Sequence, residues 1–113
     1  MRLLSALGLS TLLLPALAAC TSSPAASGVL RGEVVSVDAA PLAYDGDALV
    51  VVRTDAGERT VRVPARINLC ETDDLADLDA LRPGTRVEAR GAVDADGDVT
   101  PCAAPEHFLR VAD

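Results

Sequence analysis

The stretch Ala48–Val63, ALVVVRTDAGERTVRV, decides the fold class. Two β-branched runs, Ala48–Thr54 and Arg59–Val63, flank Asp55-Ala56-Gly57-Glu58, a short glycine-bearing connection of the kind that closes a hairpin. Upstream, Val29–Asp38 (VLRGEVVSVD) is a further β-branched run with Gly32 inside it, where a missing side chain marks a bulge or sharp bend. Downstream, Thr85–Val93 alternates: Val87, Ala89, Gly91 and Val93 share one face, while Arg86, Glu88 and Arg90 share the other. The run Asp94–Asp98 turns the chain, Val99-Thr100 starts back, and Phe108–Val111 completes the last strand after the Pro101–Pro105 stretch. Between the hairpin and the alternating strand, Thr72 is placed to cap a helix with Asp73 and Asp74 in its first turn. Leu75, Leu78 and Leu81 recur at three-residue spacing, and Arg82-Pro83-Gly84 ends the run. The expectation is five strands with one short helix between the third and fourth.

The whole chain has 113 residues and a formal net charge of −7, and half of it is apolar. Its only aromatic residues are Tyr44 and Phe108, and every cation is an arginine. A chain of this size holds one small sheet or barrel, with no second domain to frame a deep cleft. The apolar residues are unevenly spread. Met1-Arg2 is a short positive region, Leu3–Leu14 an apolar one, and Leu17-Ala18-Ala19 a small-residue cleavage zone, so residues 1–19 read as a secretory signal peptide. The apolar run, interrupted by Ser, Thr and Pro15, is too short for a membrane span of about 20 residues.

Leu17-Ala18-Ala19-Cys20 resembles the lipobox of bacterial lipoproteins. The resemblance implies cleavage before Cys20, a diacylglycerol thioether on its sulfur and acylation of the new amino terminus; two or three acyl chains anchor a protein firmly where one does not. It implies a protein outside the cytoplasm, held in the bacterial cell envelope. In the proteobacterial pattern an Asp at the position of Thr21 would mark inner-membrane retention, so the expected place in a Gram-negative cell is the outer membrane. Residues 20–28 are then the lipidated cysteine and a tether, Thr21–Ser27 being small, polar and proline-bearing, and residues 29–113 the folded body. With Cys20 carrying lipid, Cys70 and Cys102 remain, and an even remainder in an exported chain reads as one disulfide. Closing the long loop between them is worth roughly 3 to 4 kcal/mol. The alternative, a metal site of Cys70, Cys102 and His107, has no C-x-x-C or H-x-x-x-H spacing.

The order strand, hairpin, helix, strand, strand over residues 29–112 resembles the OB-fold, a five-stranded Greek-key barrel whose helix plugs one end between strands three and four. The residues that carry the resemblance are Gly32 in strand one and Leu81-x-x-Gly84-x-x-Val87-x-x-x-Gly91 at the helix exit. A β-sandwich or an SH3-like barrel is the alternative, and the helix placement argues against both.

Many OB-folds bind single strands of nucleic acid with a basic groove and aromatic platforms, and this chain has neither. Its arginines gather locally on residues 53–66. Arg53, Arg62 and Arg66 are the expected ligand-binding set, suited to an anionic glycan, a lipid headgroup or an acidic envelope protein. Alternatively these arginines pair with acids across the strands. Acid is concentrated at Glu71, Asp73, Asp74, Asp77 and Asp79. Asp94, Asp96 and Asp98 form a D-x-D-x-D run that invites calcium, but Gly97 comes too early for an EF-hand loop and Asp96-Gly97 is an ordinary turn signal.

Asp45-Gly46-Asp47 resembles the metal turn of the thermonuclease family, with Arg62 and Glu71 near that family's phosphate-binding arginine and carboxylate base. The following Arg66–Glu71 segment departs from the family by lacking its intervening Asp and Thr-Pro. His107, the sole histidine, falls at a strand edge, and no Ser/His/Asp set is read around it. The expected function is a non-catalytic binding or scaffolding module without cofactor, membrane-bound through its lipid. The alternative is a metal-dependent phosphodiesterase.

Overall fold

A computed structural model describes residues 28–112; the expected signal peptide 1–19, Cys20 and the expected tether Thr21–Ser27 lie outside the described residues. The fold is mainly β. Seven strands, β1 (Leu30–Asp38), β2 (Ala48–Thr54), β3 (Gly57–Val63), β4 (Arg86–Arg90), β5 (Ala92–Val93), β6 (Val99–Thr100) and β7 (Phe108–Val111), form one sheet in the order β5-β6-β3-β2-β1-β4-β7. The β3–β6 contact is parallel and every other pairing antiparallel. In that order β4 and β5 stand near opposite ends of the sheet, yet only Gly91 separates them in the chain. The sheet therefore curls on itself.

Two glycines make the curl sterically possible. A Cβ on Gly91 would collide with the Thr100 carbonyl and sit 2.7 Å from the Pro101 nitrogen, so the bend between β4 and β5 closes only over a residue without a side chain. A Cβ on Gly32 would strike the Arg53 carbonyl of β2. β1 pairs with β4 over Leu30–Glu33 and with β2 from Glu33 to Asp38, and Gly32 lies close to that change of partner. The bulge expected at Gly32 falls instead between Val34 and Ser36. At the far end of the hairpin, Thr54 faces Gly57, whose φ of 112° suits a residue free of a side chain.

The alternation read over Thr85–Val93 puts Val87 and Ala89 inside, where the inward residues of the other strands join them. Val50, Val52, Val61, Val87, Ala89, Val99 and Leu109 are buried in one cluster, closed by Leu30, Val34 and Leu81. Phe108 lies outside this cluster, its ring covered by Arg110 at 3.7 Å and Arg90 at 5.9 Å from the centroid.

Two expectations need correction. The expected five strands are seven, because the Gly91 bend splits residues 86–93 and an insertion splits the last strand into β6 and β7. That insertion opens at Pro101, which has no N–H for the ladder, and carries Cys102. The expected helix after β3 is absent among the described residues; the segment holds only two 3₁₀ turns, Ile67–Leu69 and Leu78–Ala80. Its backbone hydrogen bonds go to β7 instead: Leu109 N–H donates to the Asp74 carbonyl at 2.9 Å and Ala76 N–H to the Leu109 carbonyl at 2.7 Å. Thr72 caps no helix. Its buried hydroxyl donates to the His107 carbonyl at 2.6 Å and accepts from Asp74 N–H at 3.1 Å. A short, Asp-rich segment is a marginal helix in isolation, and the free edge of β7 outcompetes it.

Cys70 and Cys102 are joined as a disulfide, their Cα atoms 4.5 Å apart. Glu71 N–H donates to the Cys102 carbonyl beside it at 2.7 Å. The irregular segment is thereby tied to the loop before β7.

Candidate functional site

A concavity lies where β1 ends. Leaving β1, the chain makes a 3₁₀ turn, Ala40–Tyr44, begun by the Asp38 carboxylate accepting from Ala40 N–H at 3.1 Å and ended by Asp45 in the left-handed region at φ 66°. Gly46 N–H donates back to the Pro41 carbonyl at 2.9 Å. Asp45 then receives two hydrogen bonds from Arg66, at 3.3 and 2.8 Å, so the turn is clamped to the start of the irregular segment after β3. Between turn and segment opens a cleft of about 620 Å³, lined by Leu42, Val63, Pro64, Ile67, Leu75 and Leu78 with Asp77 and Asp79 at its margin. A second depression of about 530 Å³ shares Ile67 and Leu75 with it and adds Glu71 and Asp73.

Among the described residues, three of the four exposed large hydrophobic side chains stand on the two segments that frame this cleft. Tyr44 is 85% exposed, Leu69 68% and Ile67 50%, whereas the hydrophobic faces of β2 and β3 are covered. A small acidic protein keeps such side chains in water at a cost; Ile67 lines the cleft, Tyr44 and Leu69 stand on the two turns that flank it, and together they mark a contact surface.

The expected arginine set does not converge. Arg62 donates through Nε to Asp98 at 2.9 Å and lies 3.8 Å from Asp47. The Asp98 hydrogen bond and charge, with smaller contributions from Asp47 and Asp94, hold its guanidinium pKa above the ordinary value against a desolvation that lowers it. Arg66 is taken by Asp45. Arg53 is exposed on the outer face, opposite Glu33 of β1 and Glu58 of β3. On the β2–β3 ladder Arg62 faces Leu49, four residues from Arg53, which separates the two by about 13 Å. An anion would have to displace the acids from two of the three.

Of the carboxylates singled out as metal candidates, Asp94 and Asp98 are likewise committed, Asp98 to Arg62, while Asp96 is exposed. Asp94 Oδ1 accepts from the N–H groups of Asp96 and Asp98, both at 2.9 Å, and Gly97 takes φ 86°, so the D-x-D-x-D run is a turn whose first Asp caps it. Of the residues that resemble the nuclease set, Asp45 binds Arg66, Asp47 neighbours Arg62, and Glu71 is exposed beside the disulfide. Among the described residues no group of three or more His, Cys, Asp or Glu side chains is placed to hold a metal ion. His107 is buried and accepts from Cys102 N–H through Nδ1 at 3.2 Å, bracing the disulfide loop.

The cleft was not read from the sequence. Its sequence signal is the Leu75, Leu78 and Leu81 spacing, which reads as one helical stripe; in the irregular segment Leu81 enters the core while Leu75 and Leu78 line the opening. The sequence matches no protein-family model, and no curated protein matches it either.

Proposed function

We propose that this chain is a lipid-anchored binding or scaffolding module of the bacterial cell envelope, outside the cytoplasm, non-catalytic and without cofactor, built on an OB-type barrel. The finer fold assignment rests on strand order. Joining β4 to β5 across Gly91, and β6 to β7 across the disulfide loop, leaves five strands that close as first, second, third, fifth, fourth and first again, with a parallel contact between third and fifth. The irregular segment takes the place of the OB helix between strands three and four.

One observation carries the binding role: the described chain begins at one end of the barrel and the cleft opens at the other. Val29 and Leu30 adjoin the Asp55-Ala56 hairpin tip, whereas Ala39 at the far end of β1 lines the cleft. The nine residues of β1 between them span about 30 Å. A domain tethered through Cys20 would present its apolar, acid-edged opening away from the bilayer, toward another envelope component. With Arg62 and Arg66 held by acids and Arg59 donating to the Gly97 carbonyl, residues 53–66 offer less to an anionic glycan or headgroup than the cleft offers to a protein.

The test is fractionation of cells making the native chain and Cys20→Ala, with intact-mass analysis of the product. Membrane association with a lipid mass increment, lost in the variant, supports the reading; an unmodified Cys20 or unchanged fractionation refutes the anchor. Metal-dependent phosphodiesterase activity abolished by Asp47→Asn would refute the non-catalytic role.

A further inference from the structure

We propose that the cleft between the Ala40–Tyr44 turn and the irregular segment seats a basic, apolar-anchored peptide segment of a partner protein. The proposal deepens the binding-module reading above and rests on it for the compartment alone. The floor is apolar and the margin is acidic. Asp77 and Asp79 edge the cleft, Glu71 and Asp73 edge the adjoining depression, and all four side chains are exposed. Among the described residues none of these four forms an ion pair, while Asp45, Asp47, Asp74 and Asp98 each have an arginine. No Arg or His lines either depression. Arg66, which precedes Ile67 of the lining, is spent on Asp45, and Arg110 is paired with Asp74. Apolar anchors flanked by Lys or Arg are complementary to such a surface, and the pattern of an apolar face in a groove is a recurring mode of peptide recognition.

Charge and composition disfavour the other occupants. In a two-fold dimer packed through this surface the same carboxylates would face their copies, on chains that each carry a net charge of −7. An anionic lipid surface would be repelled by the same acids. The chain's own Thr21–Ser27 has neither a bulky apolar residue nor a cation to fill the site.

The experiment uses the full mature chain in detergent and two labelled synthetic probes followed by fluorescence anisotropy. One is an amphipathic peptide with leucines at i, i+3, i+4 and i+7 and lysines elsewhere; the other has glutamates in place of the lysines. The lysine probe is expected to bind at least about tenfold more tightly than the glutamate probe. Asp77→Asn/Asp79→Asn should weaken it by about five- to tenfold, with the effect shrinking at high salt. Ile67→Ser/Leu69→Ser, at exposed positions the fold does not need, should weaken it at least as much. Asp55→Asn/Glu58→Gln makes the same charge change at the opposite end and should leave binding unchanged. Equal losses from the two charge variants, or no preference between probes, would overturn the proposal in favour of non-specific attraction. A concentration-dependent dimer abolished by Ile67→Ser/Leu69→Ser would overturn it in favour of a second copy. Binding to phosphatidylglycerol vesicles through the cleft would overturn it in favour of lipid. Peptide binding that survives in Cys20→Ala while membrane association is absent in the native chain refutes only the anchor. An anchored chain that ignores both probes refutes only the peptide site.

Discussion

Replacing both disulfide cysteines, Cys70→Ser/Cys102→Ser, tests how this small core is held together. The two residues are 32 apart in sequence. On the chain-entropy account a loop of that length removes roughly 12 cal/mol/K from the unfolded ensemble, or about 3.7 kcal/mol at room temperature. Small domains have about 5–15 kcal/mol in total, so the variant should keep its fold with a thin margin. Folding should survive because local bonds remain at the junction, from Glu71 N–H to the Cys102 carbonyl at 2.7 Å and from position 102 N–H to His107 Nδ1 at 3.2 Å. The assay is urea denaturation followed by far-ultraviolet circular dichroism. The midpoint should drop, the slope should rise as the uncrosslinked chain expands further, and the melting temperature should fall by about 15–30 °C. Reductant should bring the native chain to the same values. A loss below about 1 kcal/mol would refute the reasoning, because it would mean that the unfolded chain is held compact by something other than the crosslink.

Three further outcomes follow from single contacts. Gly91→Ala drives a Cβ into the Thr100 carbonyl and the Pro101 nitrogen, backbone atoms with little room to yield, and should cost about 2–3 kcal/mol or more in chemical denaturation; a neutral result would show that the β4–β5 bend opens freely. Thr72→Val keeps the shape but leaves the His107 carbonyl without its buried donor, at about 1–3 kcal/mol, whereas Thr72→Ser should lose clearly less; equal losses would mean that packing of the methyl group matters more than the hydrogen bond. Asp94→Ala removes the acceptor for two turn N–H groups and should cost about 1 kcal/mol, and millimolar calcium should leave the melting temperature of the native chain unchanged; a calcium-dependent rise lost in Asp94→Ala would restore the metal reading.

Local patterns were legible where one face of a strand had to be buried. Val87 and Ala89 alternate with Arg86, Glu88 and Arg90, and a one-residue slip would expose them, so their register was already implied by residue type, whereas the continuous apolar run Leu49–Val52 carries no such alternation and strand pairing chose Val50 and Val52 as its inward residues. The turns at Gly57 and Gly97 were legible for the same local reason, since both take positive φ. The Cys70–Cys102 pairing followed from counting cysteines in a chain that the sequence reads as exported. None of these legible features depends on a distant partner being in a particular place.

The rest was decided between segments. Thr72, the acidic residues and the spaced leucines satisfy the local rules for a helix, but the unpaired edge of β7 offers residues 74–76 hydrogen bonds that a short helix cannot match. Residues 53–66 present a cationic hairpin in sequence, yet Asp98 is brought to Arg62 by the β3–β6 pairing and Asp45 to Arg66 by the turn after β1. The cleft exists only because both things happen: the segment stays irregular, and the turn is clamped against it. Sequence alone therefore determined which residues alternate, which turn and which face inward, because those preferences are settled within a few bonds. Only the tertiary structure decided which charges were free and where an apolar surface stayed open, because both depend on what the curling sheet carries to the same place.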